Sequence, residues 1–303
     1  MNQKKLRIEE LKKEKNAVIM AHYYVEDEVQ EIADYIGDSY YLSDVATRID
    51  ADVIVLCGVV FMGEGAKILN PDKKVLIPAA DANCPMAHMA TVEKIQEMRE
   101  KYDDLAVVCY VNSIAELKAA SDVCVTSANA LKIVKALPNK NIFFIPDQNL
   151  AHYIADQLPE KNFIFNDGYC HVHHAVTADE ILEAKKQTPE ALVMVHPECK
   201  PEVTALADYI GSTTGIMDYV RNSSDNEFII GTENSILAHL QYEYPDKHFY
   251  PLSKDCVCHN MKLTTLMDVY NCVRGIGGEE ITIDEDTRLK AKKCIDTMLT
   301  LGQ

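Results

Sequence analysis

The sequence predicts an α/β protein assembled from three copies of one parallel-sheet unit. Two observations carry this: a 21-residue stretch recurs in register, and a cysteine closes each copy. Residues 193–213, VMVHPECKPEVTALADYIGST, read as a strand, a polar strand end, a helix, a short second strand and a hydroxyl turn. Val193, Met194 and Val195 form an apolar run of the kind buried in parallel sheets. Pro201 suits the first helical position, where the missing N–H would have no partner. Ser212 and Thr213 suit the start of the next helix and can present N–H groups to an anion.

The same pattern stands 86 positions earlier at 107–127 and a further 88 earlier at 19–39. Glu28, Glu116 and Glu202 coincide in this register, as do Asp34, Asp122 and Asp208. A register held over such a length in three places is a repeat. Each copy continues into a second apolar strand (53–57, 142–145 and 228–230), a helix and a third strand, and ends at Cys84, at Cys170, and at Cys256 or Cys258. Strands alternating with helices imply parallel sheets with helices on both faces. The expected domains are 1–86, 87–172 and 173–283, with a C-terminal helix at 284–303 packing on the first.

Along the chain, residues 3–15 read as a charged surface helix with Leu6 and Leu11 facing inward. Helices are expected from about Glu26, from Asp38-Ser39, and from Phe61-Met62 to the Asn70-Pro71 turn. Linking helices are expected at 91–101 and 177–186, and a last helix at 288–301 with Leu289, Ile295, Met298 and Leu299 apolar.

With 30 basic and 47 acidic residues, the formal charge is −17. That argues against a nucleic-acid or anionic-membrane surface, so an anionic substrate needs a locally organised pocket. The N-terminal segment is too charged for a signal peptide, and the longest apolar run, 53–62, is too short to span a bilayer. A cytoplasmic chain is expected. Ten cysteines in that setting point to metal binding or catalysis for some rather than to disulfides.

In parallel sheets ligands bind beyond the carboxyl ends of the strands. The candidates there are His22 and Tyr24, Tyr110 and Asn112, and His196 and Glu198. One cysteine per copy at one loop is the sharpest signal. Thiolates from three repeats meeting on a pseudo-threefold axis could hold a metal and leave an open position for Lewis-acid work. Strict spacing of 86 from Cys84 through Cys170 arrives at Cys256, while Cys258 needs two more residues. Cys57, Cys109, Cys124, Cys199, Cys272 and Cys294 read as structural. Ser39, Ser127 and Thr213 recur at one position, each opening a helix, and together could bind phosphate or carboxylate. His171, His173 and His174 beside Cys170 either tune a metal from behind its ligands or are simply exposed.

The ordered motifs AHYY, GDS, FM, CPMA, YVNS, TSANA, PDQNLA, GYCHVH, HPEC, GST, IGTE and CxNMK resemble quinolinate synthase, the bacterial A-type transferase of NAD biosynthesis, over essentially the whole chain. The resemblance implies three homologous α/β sandwich domains with pseudo-threefold symmetry. It implies a [4Fe–4S] cluster on Cys84, Cys170 and, by the Cys-x-Asn-Met-Lys motif, Cys258. It implies condensation of iminosuccinate with dihydroxyacetone phosphate to quinolinate, with release of phosphate and water and an open iron as Lewis acid. His22, Ser39, Tyr110, Val111, Asn112, Ser127, His196, Pro197, Glu198 and Thr213 would line the substrate site. Glu198 and His196 would transfer protons, Tyr24 would assist isomerisation of the triose-derived part, and Met62 would pack near the cluster. A transient contact with the iminosuccinate-producing aspartate oxidase or dehydrogenase is implied as well. The competing expectation is a zinc-stapled triple-repeat binding protein with four closed ligands, Cys256 joining the others, and no catalysis.

Overall fold

The computed structural model describes residues 3–302, so positions 1, 2 and 303 of the expected terminal segments lie outside the described residues. Three sheets share one topology. The first holds β1 (Ala17–His22), β2 (Tyr35–Gly37), β3 (Val53–Cys57) and β4 (Lys74–Ile77) in the order β2-β1-β3-β4. The second holds β5 (Leu105–Tyr110), β6 (Val123–Val125), β7 (Asn141–Ile145) and β8 (Asn162–Phe165) in the order β6-β5-β7-β8. The third holds β9 (Leu192–Val195), β10 (Tyr209–Ile210), β11 (Glu227–Gly231) and β12 (His248–Pro251) in the order β10-β9-β11-β12. One late strand, β13 (Glu279–Glu280), adds antiparallel to β4, an edge that the repeat pattern does not foreshadow.

The recurring aspartates have a structural cause. Asp34 accepts the Ile19 N–H at 2.7 Å through its carboxylate, while its own N–H donates to the Ile19 carbonyl at 2.8 Å. Asp208 does the same to Val193, at 2.8 Å in both directions. Each aspartate thus ties the chain entering the short second strand to the strand beside it. Lys12 supports the first of these clamps from a buried position, 2.7 Å from Asp34. Around the second, Lys185 stands 3.4 Å from Asp208 and is more exposed.

Contacts along the chain divide it into two compact units. One comprises residues 3–88, 111–124 and 259–300, the other 89–110, 125–258 and 301–302. In the first unit, helix Leu266–Arg274 packs Leu266, Val269, Cys272 and Val273 into one apolar core with Ile8, Ile19, Ala21 and Val55. In the second unit, Val193, Val195, Cys199, Val203 and Ile229 form a core that also takes up Val172, Val176 and Cys256.

Several local expectations need correction. In helix Gln3–Glu14 the buried side chains are Ile8, Leu11 and Lys12, and Leu6 is 45 % exposed. The buried stripe runs through Ile8, Leu11 and Lys12, with Lys12 reaching Asp34, and Leu6 lies off it. In helix Glu285–Leu301 the buried stripe runs Arg288, Ala291, Cys294, Ile295 and Met298, which leaves Leu289 at 53 % exposure. Ser39 and Thr213 are first helical residues; the caps are Asp38, accepting from Tyr41 N–H, and Ser212, accepting from Gly215 N–H. Ser127 lies in a turn three residues ahead of helix Ala130–Ala136 and opens no helix.

Candidate functional site

The three cysteine loops are fixed by one backbone bond that recurs in each repeat. Val60 N–H donates to Ala82, Gln148 N–H to Gly168, and Asn234 N–H to Cys256, all at 2.8 Å. Two residues beyond each acceptor stand Cys84, Cys170 and Cys258. This register makes Cys256 the counterpart of Ala82 and Gly168, and Cys258 the counterpart of the other two cysteines. Constant spacing misleads because the second repeat is two residues shorter between the helix start and the loop than the first and the third.

Burial sorts the thiols the same way. Cys84, Cys170 and Cys258 are half-buried, and the other seven are buried. Cys256 sits inside the apolar core of its unit, and burial pushes its thiol up to about 12. A thiol so raised is a poor thiolate and a poor ligand.

In the second unit, the turn after β9 buries His196, Pro197 and Glu198. The Glu198 N–H donates to His196 Nδ1 at 3.3 Å, which leaves the imidazole proton on Nε2. Burial lowers His196 to about 3 against the raising effect of Glu198, so the ring is neutral. His173 Nδ1 lies 2.6 Å from Glu198 Oε2, and its Nε2 lies 2.9 Å from Thr232 Oγ1. The His173 and His196 rings stack at 4.5 Å. Burial alone would raise Glu198, but His196, His173 and Tyr110 hold its carboxylate well below the usual range. Its Oε1 is buried and accepts no hydrogen bond. The buried Tyr110 phenol lies against Glu198 and Ser127, and burial followed by the carboxylate charge holds it well above its ordinary value. Thr213 is buried at the first position of helix Thr213–Asn222.

In the first unit, His22 ends β1 and repeats this geometry: its Nδ1 accepts the Tyr24 N–H at 3.1 Å. The two rings meet edge to face at 4.5 Å. Burial lowers His22 to about 4, partly opposed by Asp38. Ser39, Met62 and Val111 line a narrow cavity with Lys118, and the buried Asn112 Oδ1 has no hydrogen-bond partner.

The histidines near Cys170 divide by burial. His171 is exposed; His174 is half-buried beside Tyr169 and within 3.0 Å of Asn149 Nδ2; His173 is buried on Glu198. The sequence left this choice open, because helical spacing over so short a segment, His171–Ala175, does not say which face turns inward. Two further carboxylates were missed. Asp147 Oδ2 accepts the Cys170 N–H at 3.0 Å, and Glu233 Oε1 accepts the Cys258 N–H at 3.3 Å. Burial and the nearby Glu198 push Asp147 well above the usual range, opposed by backbone N–H groups of Leu150, Cys170 and Asn149. The available signal was their position: both stand two residues past the end of their strand, in PDQNLA and IGTE.

Donor atoms of Cys170, His173 and Glu198 lie within 4.8 Å of one another, a spacing that would admit a metal ion only if His173 turned a nitrogen away from its present partners. A half-buried cysteine beside a buried carboxylate–imidazole pair, at the carboxyl end of a parallel sheet, defines a metal-competent α/β enzyme. A sequence profile described as quinolinate synthetase A protein matches residues 6–300. The chain is 52 % identical over 294 residues to a quinolinate synthase of Alkaliphilus metalliredigens, covering 97 % of each. It is 50 % identical to that of Thermodesulfovibrio yellowstonii, covering 96 % of each, and 50 % identical to that of Clostridioides difficile, covering 92 % of each. The chain belongs to the quinolinate synthetase A family. No helix among the described residues is long and apolar enough to cross a membrane.

Proposed function

We propose that this protein is a cytoplasmic quinolinate synthase that condenses iminosuccinate with dihydroxyacetone phosphate, releasing phosphate and water. The observation that carries the reading is the cysteine register: the three thiols in equivalent loops are the three that are half-buried. That donor set suits a [4Fe–4S] cluster on Cys84, Cys170 and Cys258. With three protein ligands one iron keeps an open position, and the cluster when bound supplies Lewis acidity toward substrate oxygens.

The side chains divide the remaining work. Glu198, ionised and with a free Oε1 lone pair, accepts a proton from substrate, and His173 holds it in place. His196 and His22 are neutral with Nδ1 engaged, so each presents Nε2–H as a donor to substrate oxygen. Tyr110 stays a neutral phenol and donates. Ser39, Asn112, Ser127 and Thr213 bind anionic groups through hydroxyl, amide and helix-start N–H donors, while Val111 and Pro197 shape the walls. Tyr24 assists isomerisation of the triose-derived part. Iminosuccinate is a labile imine, which favours delivery by a transient partner, an aspartate oxidase or dehydrogenase.

A zinc site on Cys170, His173 and Glu198 is the weaker alternative. His173 Nδ1 faces the carboxylate and Nε2 faces Thr232, so neither nitrogen has a lone pair directed at a metal. The deciding experiment is anaerobic purification followed by iron analysis and assay of quinolinate from the two substrates. About four irons per chain and product formation are expected; zinc without iron, or no quinolinate from iron-loaded protein, overturns the proposal.

A further inference from the structure

We infer that Asp147 and Glu233 are positioning residues that hold the loops of Cys170 and Cys258 for the metal centre; this rests on the cluster reading above. Each is buried, at 0 % and 1 % exposure, and each bridges two backbone groups. One oxygen of Asp147 accepts Leu150 N–H at 2.8 Å and starts helix Gln148–Ala155; the other accepts the Cys170 N–H at 3.0 Å. Glu233 accepts Ser235 N–H at 2.8 Å at the start of helix Ser235–Glu243 and the Cys258 N–H at 3.3 Å. The two acids are 86 residues apart and occupy the same place in their repeats. The carboxylate therefore ties the cysteine's own peptide to a helix start and restricts where the sulfur can go. In the first repeat this place holds Val59, which is buried and has no side-chain acceptor to offer the Cys84 loop. Two of the three cysteine arms thus have a carboxylate at this place.

A tie of this kind lies behind the ligands and acts through them, and losing such partners typically weakens metal sites about 10–100-fold. Asp147→Asn separates holding the cysteine from capping the helix. Asparagine still accepts from Leu150 N–H, because it is among the best capping residues, but its amide nitrogen cannot accept from Cys170. Glu233→Gln does the same in the third repeat. The test measures loss of the iron–sulfur absorption band under a chelator in anaerobic holoprotein, together with thermal unfolding of the metal-free chain. Thr91→Ala, which removes the cap of helix Val92–Lys101, a helix that carries no cysteine, controls for general destabilisation. The expected result is release about 10–100-fold faster in both acid variants, with the parental rate in Thr91→Ala. Parental release in both acid variants, or equal acceleration in Thr91→Ala, overturns the inference while leaving the cluster reading intact. Failure of the parent chain to bind iron is a distinct outcome, and overturns both.

Discussion

The first and third repeats end their leading strands alike and hold their cysteines differently. His22 and His196 both accept, through Nδ1, the N–H of the residue two positions on, so both display the same neutral edge. Their neighbours differ: His22 meets the edge of Tyr24, whereas His196 stacks on His173 beside Glu198. Further on, Glu233 grips Cys258 where the first repeat has only Val59. Duplication conserved the backbone device and left side-chain chemistry free to diverge. In the proposed reaction the third repeat is the copy that handles protons, through Glu198 and His196.

That contrast can be broken experimentally. The largest effect is expected at the cysteines. Cys258→Ser should abolish iron retention and quinolinate formation, while Cys256→Ser should keep both and only lower the melting temperature. If Cys256→Ser lost the iron instead, the backbone register would be the wrong guide. Next is Glu198→Gln, expected to reduce kcat by roughly 10²–10⁴-fold with iron content unchanged in elemental analysis. His173→Gln is expected to cost less, because it removes only the group that orients Glu198; an effect as large as that of Glu198→Gln would make His173 a direct participant.

Smaller effects concern stability. Asp34→Ala should destabilise by about 1–3 kcal/mol in urea unfolding, and Asp208→Ala by less. The first leaves a buried Lys12 with Glu9 and the Ile32 carbonyl but no partner carboxylate in the core, whereas Lys185 is already partly solvated. Equal losses would show that the strand clamp alone matters. The smallest effect is a pH dependence. Burial opposes the charge on Lys12, but Asp34 and Glu9 raise it above its ordinary 10.5. Its contribution is therefore complete below that pH and is lost as pH rises through the folded value. Lys12→Met should flatten the alkaline limb of the stability curve and leave the neutral region less affected.

Much of this was legible in the chain. The repeat, the strand positions and the carboxyl-end polar residues follow from apolar periodicity and from letters that recur in register. What spacing could not resolve was anything that depends on which way a side chain turns. Cys256 and Cys258 are two residues apart; spacing points to the first, the Cys-x-Asn-Met-Lys motif to the second, and the Asn234–Cys256 backbone bond makes Cys258 the equivalent of Cys84 and Cys170. Leu6 reads as facing inward because one apolar letter on a helix does not reveal how the helix is rotated; the buried stripe of Ile8, Leu11 and Lys12 does.

From its sequence alone, this protein was determined to be a triplicated α/β chain with a cysteine closing each copy, because hydrophobic period and repeated letters are properties of the chain itself. Only the tertiary structure decided that His173 belongs to Glu198, that Asp147 and Glu233 grip the cysteine loops, and that Cys256 is core. Those facts depend on groups far apart in sequence becoming neighbours. Their strength comes from burial, which removes water and makes each hydrogen bond and each missing partner count.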